Sequence, residues 1–288
     1  MKGHVFKGII RIVYDSIMES TRRLYRMKQK IYRKVKSFWH HPIRVFCLHQ
    51  VNDVYDPKTC FECDWLSLQD FIRSIELMKT NYTFISLEEA YNRLNQCQIR
   101  FRNYAVLTFD DGYRSSLPAL LWLENRGIPY TLFLNSKYLD GCSVSPHLFE
   151  RALSIDPLAT ENQIASNLYM TEESIRTLSL RWASMASHGY EHFDATTCSR
   201  DEFTEQLQRC MDDLSIFPNV IPFHAYTWGK HSKETDNVVT SLGLVPVLVD
   251  GQKNVDADGF IHRELFPATT HFNLFERIVS VLDLHTEG

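Results

Sequence analysis

Apolar residues follow two rhythms along this chain. In residues 1–44 they recur every seven positions, at Ile10, Ile17, Leu24, Ile31 and Phe38. A second row, Phe6, Val13, Met27 and Val35, lies beside the first, and Ser20 interrupts the repeat. A single apolar stripe of this period predicts an amphipathic helix. From His41-Pro42 onward, short apolar runs alternate with segments of helical period. Ile43–Leu48, Tyr104–Phe109, Tyr130–Leu134, Ala183–Ser187, Val220–Phe223 and Leu244–Val249 read as strands.

Helices fill the intervals. Ser67 to Thr80 places Phe71, Ile72, Ile75 and Met78 on one face, and Leu87–Asn95 has the same period. Leu117, Leu120, Leu121 and Leu123 mark a helix that ends at Arg126-Gly127. Ser199-Arg200-Asp201-Glu202 is a capping box, opening a helix with Phe203, Leu207, Cys210 and Leu214 on one side. Further helices are predicted from Ser232 to Leu242 and over Asn273–His285. Residues 140–180, punctuated by Asp140-Gly141, Ser145-Pro146 and Asp156-Pro157, read as an insertion of short helical pieces. Strand–helix alternation over so long a stretch implies βα units, with functional residues at the carboxyl ends of the strands.

Charge separates the arm from the rest. Residues 1–44 hold twelve Lys/Arg against Asp15 and Glu19, a balance of +10 within a chain of net charge −4, so the remainder carries −14. Three readings of this arm compete. An interfacial helix on an anionic membrane accounts for stripe, charge and aromatics (Tyr25, Tyr32, Trp39) together. A coiled coil or packing helix accounts for the seven-residue spacing alone. Nucleic-acid binding accounts for the charge alone, without a recognisable motif, so no nucleic-acid partner is expected. The chain divides into this arm, residues 1–42, and a catalytic domain over 43–288. With 288 residues, 44% of them hydrophobic, it can bury a substantial core.

Seven cysteines, odd in number and scattered, suit a reducing compartment better than a disulfide framework. Cys60-Phe61-Glu62-Cys63 lacks a second C-x-x-C or a nearby pair of histidines to complete a zinc ribbon. No apolar run is long enough to span a bilayer, and no signal-peptide core is visible. A cytoplasmic location, peripheral to the inner membrane face through the arm, is the expectation.

The candidate chemistry begins where the strand Tyr104–Phe109 runs into Asp110-Asp111-Gly112. Adjacent carboxylates repel, so they are either a solvated turn or neighbours of a cation. Ser187-His188-Gly189-Tyr190-Glu191-His192 supplies two histidines four residues apart after a later strand. On a helical turn or a tight loop these could converge on one ion with an aspartate. One carboxylate would then ligate the ion, and the other would stay outside and take a proton from water.

"TFDDG" followed by "SHGYEH" resembles the polysaccharide deacetylase family, carbohydrate esterase family four, which includes chitin and peptidoglycan deacetylases. "RVFCLHQV" (Arg44–Val51) is similar to the opening strand of a subgroup with a His after the first apolar run. "AYTWGKHS" (Ala225–Ser232) resembles the third motif, and "FIHRELFP" (Phe260–Pro267) the late segment. The resemblance implies a distorted, incomplete (β/α) barrel. It implies Asp110 as general base, and Asp111, His188 and His192 as ligands of one divalent ion, zinc first, with cobalt or nickel as alternatives. Water would attack an N-acetyl carbonyl on an amino sugar, with a backbone N–H near Tyr226 stabilising the oxyanion.

The third motif departs from the family. Thr227 stands where Pro is usual, and His224 stands near the place of an expected Arg. Arg263 is expected to pair with Asp110. The family's late Leu-x-His, which carries the general acid, has no clean match, and His262 is its nearest substitute. His49, His147 and His231 are further pocket candidates, and Trp228, Tyr113 and Tyr190 are candidates for stacking on a sugar ring. The expected function is N-deacetylation of an amino sugar in a glycan or lipid-linked glycan precursor. A deformylase or other amide hydrolase on a lipid-linked sugar, and an inactive glycan-binding scaffold, stand as alternatives.

Overall fold

Strand β5, Asn103–Phe109, organises the molecule because its sequence leaves no polar face: Ala105 to Phe109 are all buried. A strand buried on both sides belongs inside a parallel sheet with helices around it. The computed structural model describes residues 42–60, 65–96, 102–255 and 257–266. Residues 1–41 of the basic arm, Cys63 of the C-x-x-C and the predicted helix Asn273–His285 lie outside the described residues.

Seven parallel strands form the barrel, and each is hydrogen-bonded to the next. They are β1 (Ile43–Leu48), β5, β6 (Tyr130–Leu134), β7 (Ala183–Ser187), β8 (Val220–Ala225), β9 (Val245–Val249) and β10 (Ile261–Leu265). β10 pairs with β1, and β1 runs beside β5 from Ile43↔Tyr104 to Leu48↔Phe109, which closes the ring. With seven strands it falls one short of the eight-stranded barrel, in keeping with the incomplete barrel expected. Outside the ring, β4 (Tyr82–Phe84) takes the start of the β5 edge that β6 takes further on. The short strands β2 (Gln50–Val51) and β3 (Trp65–Leu66) pair separately.

Helices α1 (Leu68–Met78), α2 (Leu87–Asn95), α3 (Leu117–Glu124), α7 (Arg200–Leu214) and α8 (Lys233–Ser241) lie between the strands. Their starts follow from capping: Ser67, Ser86, Ser199 and Ser232 each accept a hydrogen bond from the backbone three residues on, which satisfies an orphan N–H of the first turn. α7 buries Phe203, Leu207, Cys210 and Leu214, the stripe its sequence predicts. Among the described residues, no helix is long and apolar enough to cross a membrane.

Between β6 and β7 the chain builds α4 (Pro146–Ile155), α5 (Glu161–Leu168) and α6 (Glu172–Arg176). α4 and α5 pack a core of their own from Val144, Leu148, Ala152, Ile164 and Leu168, together with Tyr113 from the loop after β5. The predicted insertion is therefore anchored to the loop that carries the aspartate pair.

Candidate functional site

All seven barrel strands run the same way, so their carboxyl ends deliver side chains to one end of the ring. β1 delivers Cys47 and His49, β5 Asp110 and Asp111, β7 His188 and His192, and β8 Tyr226 and Trp228, while Arg263 reaches Asp110 from the middle of β10. A cavity of about 570 Å³ lies there, bordered by Asp110, Asp111, His188, His192, His147 and Trp228 among others.

The two aspartates face different partners because the backbone twists between them. Asp111 (φ 66°) and Gly112 (φ 69°) are both left-handed, a conformation a non-glycine residue adopts at a cost. A Cβ on Gly112 would lie 2.7 Å from Leu134 Cδ2, so the tip of that buried side chain would have to shift.

Asp110 is clamped by Arg263: Nη1 donates to Oδ1 at 2.6 Å and Nη2 to Oδ2 at 2.9 Å. Arg263 Nη1 also donates to Thr108 Oγ1, which itself donates to the Phe46 carbonyl. The Cys47 thiol donates to Asp110 Oδ2 at 3.3 Å. Burial pushes the Asp110 carboxyl up, but the Arg263 guanidinium outweighs it and holds it below its usual range. Asp110 is thus an anion with fixed orientation.

Asp111 faces the histidines. His188 Nε2 lies 3.3 Å and His192 Nε2 3.4 Å from Asp111 Oδ1. His188 Nδ1 is 2.8 Å from the Ala225 carbonyl, which can only accept, so this nitrogen carries the hydrogen and a neutral His188 turns a lone pair on Nε2 toward Asp111. Burial, reinforced by His188, His147 and His49 against the pull of Asp111, pushes His192 down to about 4 and keeps it neutral. Asp111 Oδ1 is buried without a hydrogen-bond donor.

These three residues fit a divalent ion. Two nitrogen or oxygen ligands about 2.05–2.1 Å from a tetrahedral zinc lie roughly 3.4 Å apart, and the observed separations match this edge. The orphaned Asp111 oxygen is the atom a cation would satisfy, and two imidazoles with one carboxylate suit zinc, cobalt or nickel better than magnesium or calcium. The 188–192 segment is a loop, not a helical turn. It rests on the residues after β6: Ser136 N–H donates to Gly189 O, Lys137 N–H to Tyr190 O, and Asn135 Nδ2 to His188 O. The His192 N–H donates to the Tyr138 hydroxyl at 3.3 Å.

The remaining predicted residues divide. His49 lies with Cys47 and Asp110, their donor atoms all within 4.8 Å of one another. Trp228 (φ 53°) is 52% exposed and packs edge-on against His192, with ring centroids 4.5 Å apart. His147, from α4, lies 4.8 Å from the His192 ring and 5.5 Å from that of Trp228. Tyr226 borders the cavity, but its hydroxyl donates to Asp236 and its ring stacks on His231, which is itself hydrogen-bonded to Asp236. Tyr113 stacks on Tyr169, Tyr190 lies under the Arg209 guanidinium, and His224 pairs with Ser187.

The structure does not bring His262 to the site, which corrects its assignment as the acid. Neighbouring residues of a strand face opposite ways, so β10 turns Arg263 inward and His262 outward. There His262 Nδ1 meets Asp250 at 2.7 Å and Nε2 meets Asp258 at 2.9 Å. Cys47 is the site neighbour that sequence reading passed over. Its signal is the i, i+2 spacing to His49, which puts both on one face at the end of β1.

Fold and site together define a parallel (β/α) barrel with a polar, histidine- and carboxylate-lined cluster at the carboxyl ends of its strands. The polysaccharide deacetylase family model matches residues 100–247, half of the chain, and the chain belongs to that family. Membership places it among hydrolases of carbohydrate amide bonds. Solved structures share the fold at low identity. Streptococcus pyogenes deacetylase PplD, in complex with acetate, is 18% identical with a TM-score of 0.64, over 80% of this chain and 94% of its own. IcaB from Ammonifex degensii is 18% identical at 0.62, over 84% and 98%. A de-N-acetylase from Aggregatibacter actinomycetemcomitans is 15% identical at 0.63, over 82% and 99%. Among curated proteins the sequence comparison finds no match.

Proposed function

We propose that this protein removes the N-acetyl group from an amino sugar of a glycan or lipid-linked glycan precursor, using one divalent ion, zinc first, held by Asp111, His188 and His192. The observation that carries the reading is the division of labour within the aspartate pair: Asp111 faces two imidazoles, while Asp110 is held apart by Arg263. The bound ion supplies Lewis acidity, polarising the amide carbonyl and acidifying water.

Asp110 takes the proton from the water that attacks the carbonyl carbon. Arg263 keeps that carboxylate ionised and aimed into the cavity. With His262 turned outward, Asp110 returns the same proton to the departing nitrogen, so that acetate and a free amine leave. A backbone N–H in the Tyr226–Trp228 segment faces the developing oxyanion, and Trp228 and His147 border the space for the sugar ring. The basic arm, residues 1–42, holds the enzyme on an anionic membrane at its cytoplasmic face, near lipid-linked substrates.

Purified protein loaded with zinc or cobalt is offered N-acetylated and N-formylated amino-sugar oligomers, and the released acid is measured. Acetate release that chelation stops and Asp110→Asn abolishes is the expected result. Undiminished turnover in Asp110→Asn removes the proposed base, and turnover indifferent to chelation removes the ion. Faster release of formate than of acetate reassigns the acyl group.

A further inference from the structure

A second set of donor atoms lies beside the first. Cys47 and His49 project from one face at the end of β1, and the pairing of β1 with β5 places them against Asp110. Cys47 Sγ, a ring nitrogen of His49 and an Asp110 carboxylate oxygen all lie within 4.8 Å of one another, and all three residues border the cavity. Sγ is 3.3 Å from Asp110 Oδ2. A zinc–sulfur bond of about 2.3 Å and a zinc–oxygen bond of about 2.1 Å at a tetrahedral angle span roughly 3.6 Å, a few tenths of an ångström more.

We propose that Cys47, His49 and Asp110 form a second, weaker site for a borderline or soft divalent cation (excess zinc, cobalt or cadmium), and that filling it inhibits the enzyme. The thiol hydrogen now pointing at Asp110 Oδ2 is exchanged for the cation. The S–H bond breaks, its proton leaves to solvent, and sulfur and carboxylate oxygen bond to the ion with no change in oxidation state. A thiolate, an imidazole and a carboxylate select this class of ion over magnesium and calcium.

Two features make the site weaker than that at Asp111. The cation must share Asp110 with the Arg263 guanidinium, which already engages both carboxylate oxygens. It must also displace the proton of a buried thiol, and the Arg263 guanidinium and an ion at Asp111 both repel the incoming cation. The Asp111 site therefore fills first, and inhibition begins only with metal in excess. The inhibition rests on Asp110 acting as base, as proposed above, whereas the binding does not.

Cobalt titration of the apoprotein separates the two sites, because only a thiolate ligand gives the intense near-ultraviolet sulfur-to-cobalt charge-transfer band. In wild type the first equivalent binds without the band, and the second brings it up while the acetate-release rate falls. In Cys47→Ala the first equivalent still binds, the band is lost, and the ratio of the rates at excess and at stoichiometric cobalt rises toward one. Cys47→Ser, which keeps the volume and a polar group, also lacks the band and serves if the alanine variant does not fold. A wild type with no band at excess cobalt, or a band of equal strength in both variants, overturns the site. If the band follows Cys47 but no substrate is hydrolysed by any form, the site stands and the deacetylase reading falls.

Discussion

Arg263 and Asp110 form a fully buried, bidentate ion pair across the barrel, between the middle of β10 and the carboxyl end of β5. Two parallel hydrogen bonds fix the carboxylate in plane as well as in charge. Removing the guanidinium strands a buried anion, which typically costs about 3–5 kcal/mol. Arg263→Gln is expected to lose stability on that scale in urea unfolding. Its sign with pH is also set: Asp110 is held low by Arg263, so its contribution is present above pH 3.8 and lost as pH falls through the folded value. Without the arginine the Asp110 pKa rises, and the acidic limb of the kcat/KM profile moves to higher pH. Arg263→Lys, which keeps charge but not the fork, falls between. An unmoved acidic limb in Arg263→Gln would show that the clamp does not tune Asp110.

Gly112 is where the two aspartates part. Its φ of 69° disfavours any side chain, and a Cβ would meet Leu134 Cδ2 at 2.7 Å. Gly112→Ala combines left-handed strain with overpacking of the core, so a loss of about 2–4 kcal/mol is expected. Because Gly112 follows Asp111 directly, the variant should also bind less zinc at equilibrium. Thermal unfolding and metal content measured on one preparation check both; unchanged zinc content would separate the turn from the site.

The parts of this fold legible in sequence are those whose burial is uniform. β1 and β6 are predicted to the residue and β7 closely, because mostly apolar or small-residue runs bounded by turn signals admit few registers, even with Arg44 inside β1. β4 is too short at three residues to show a period. β10 reads Ile-His-Arg-Glu-Leu, and its charged residues hide it: Arg263 is inside because it answers Asp110, and His262 is outside between two aspartates. Assigning His262 to the site was a one-residue error of facing, and alternation makes such an error complete. The aspartate and histidine motifs were visible because each is local. The Cys47–Asp110 contact was not, because it runs across the β1–β5 pairing between residues 63 apart in sequence.

Tyr138 links the insertion to the histidine loop. Its ring stacks on Tyr169, which stacks on Tyr113, and its hydroxyl accepts the His192 N–H. Tyr138→Phe keeps the stack and removes the acceptor. Outer partners of metal ligands commonly contribute about 10–100-fold in affinity, so zinc should bind at least several-fold more weakly while the melting temperature of the apoprotein changes little. Chelator competition gives the affinity and a thermal melt the control. Equal zinc affinity in Tyr138→Phe would mean that His192 is positioned by other contacts.

Trp228 combines a left-handed backbone with a half-exposed aromatic ring over the cavity. Strain of this kind costs roughly 1–3 kcal/mol and persists where something holds it. Trp228→Gly relieves the strain, so stability should hold or rise. If the indole stacks on the sugar, a contact of about 0.5–1.5 kcal/mol is lost and KM rises up to roughly tenfold, with a smaller change in kcat. Steady-state kinetics beside a urea melt read the two effects apart. A variant that is less stable but keeps its KM would make Trp228 a packing residue.

Outside the barrel, His262 sits between Asp250 and Asp258, on the opposite face of β10 from Arg263. Burial lowers the imidazole pKa, but the two carboxylates outweigh this and raise it above 6.5. A raised histidine stabilises fully below its unfolded value and loses that contribution as pH climbs through the folded one. Asp250 has the opposite sign: burial raises it, while the Gln252 N–H and His262 bring it below 3.8, so its contribution is present above 3.8 and fades as pH falls further. Both are complete between pH 3.8 and 6.5. The stability difference between wild type and His262→Gln should therefore be largest in that window and shrink as pH rises beyond it. Urea midpoints taken across the range would decide: a difference that stays constant, or grows toward alkaline pH, would mean that His262 is held there as a neutral ring.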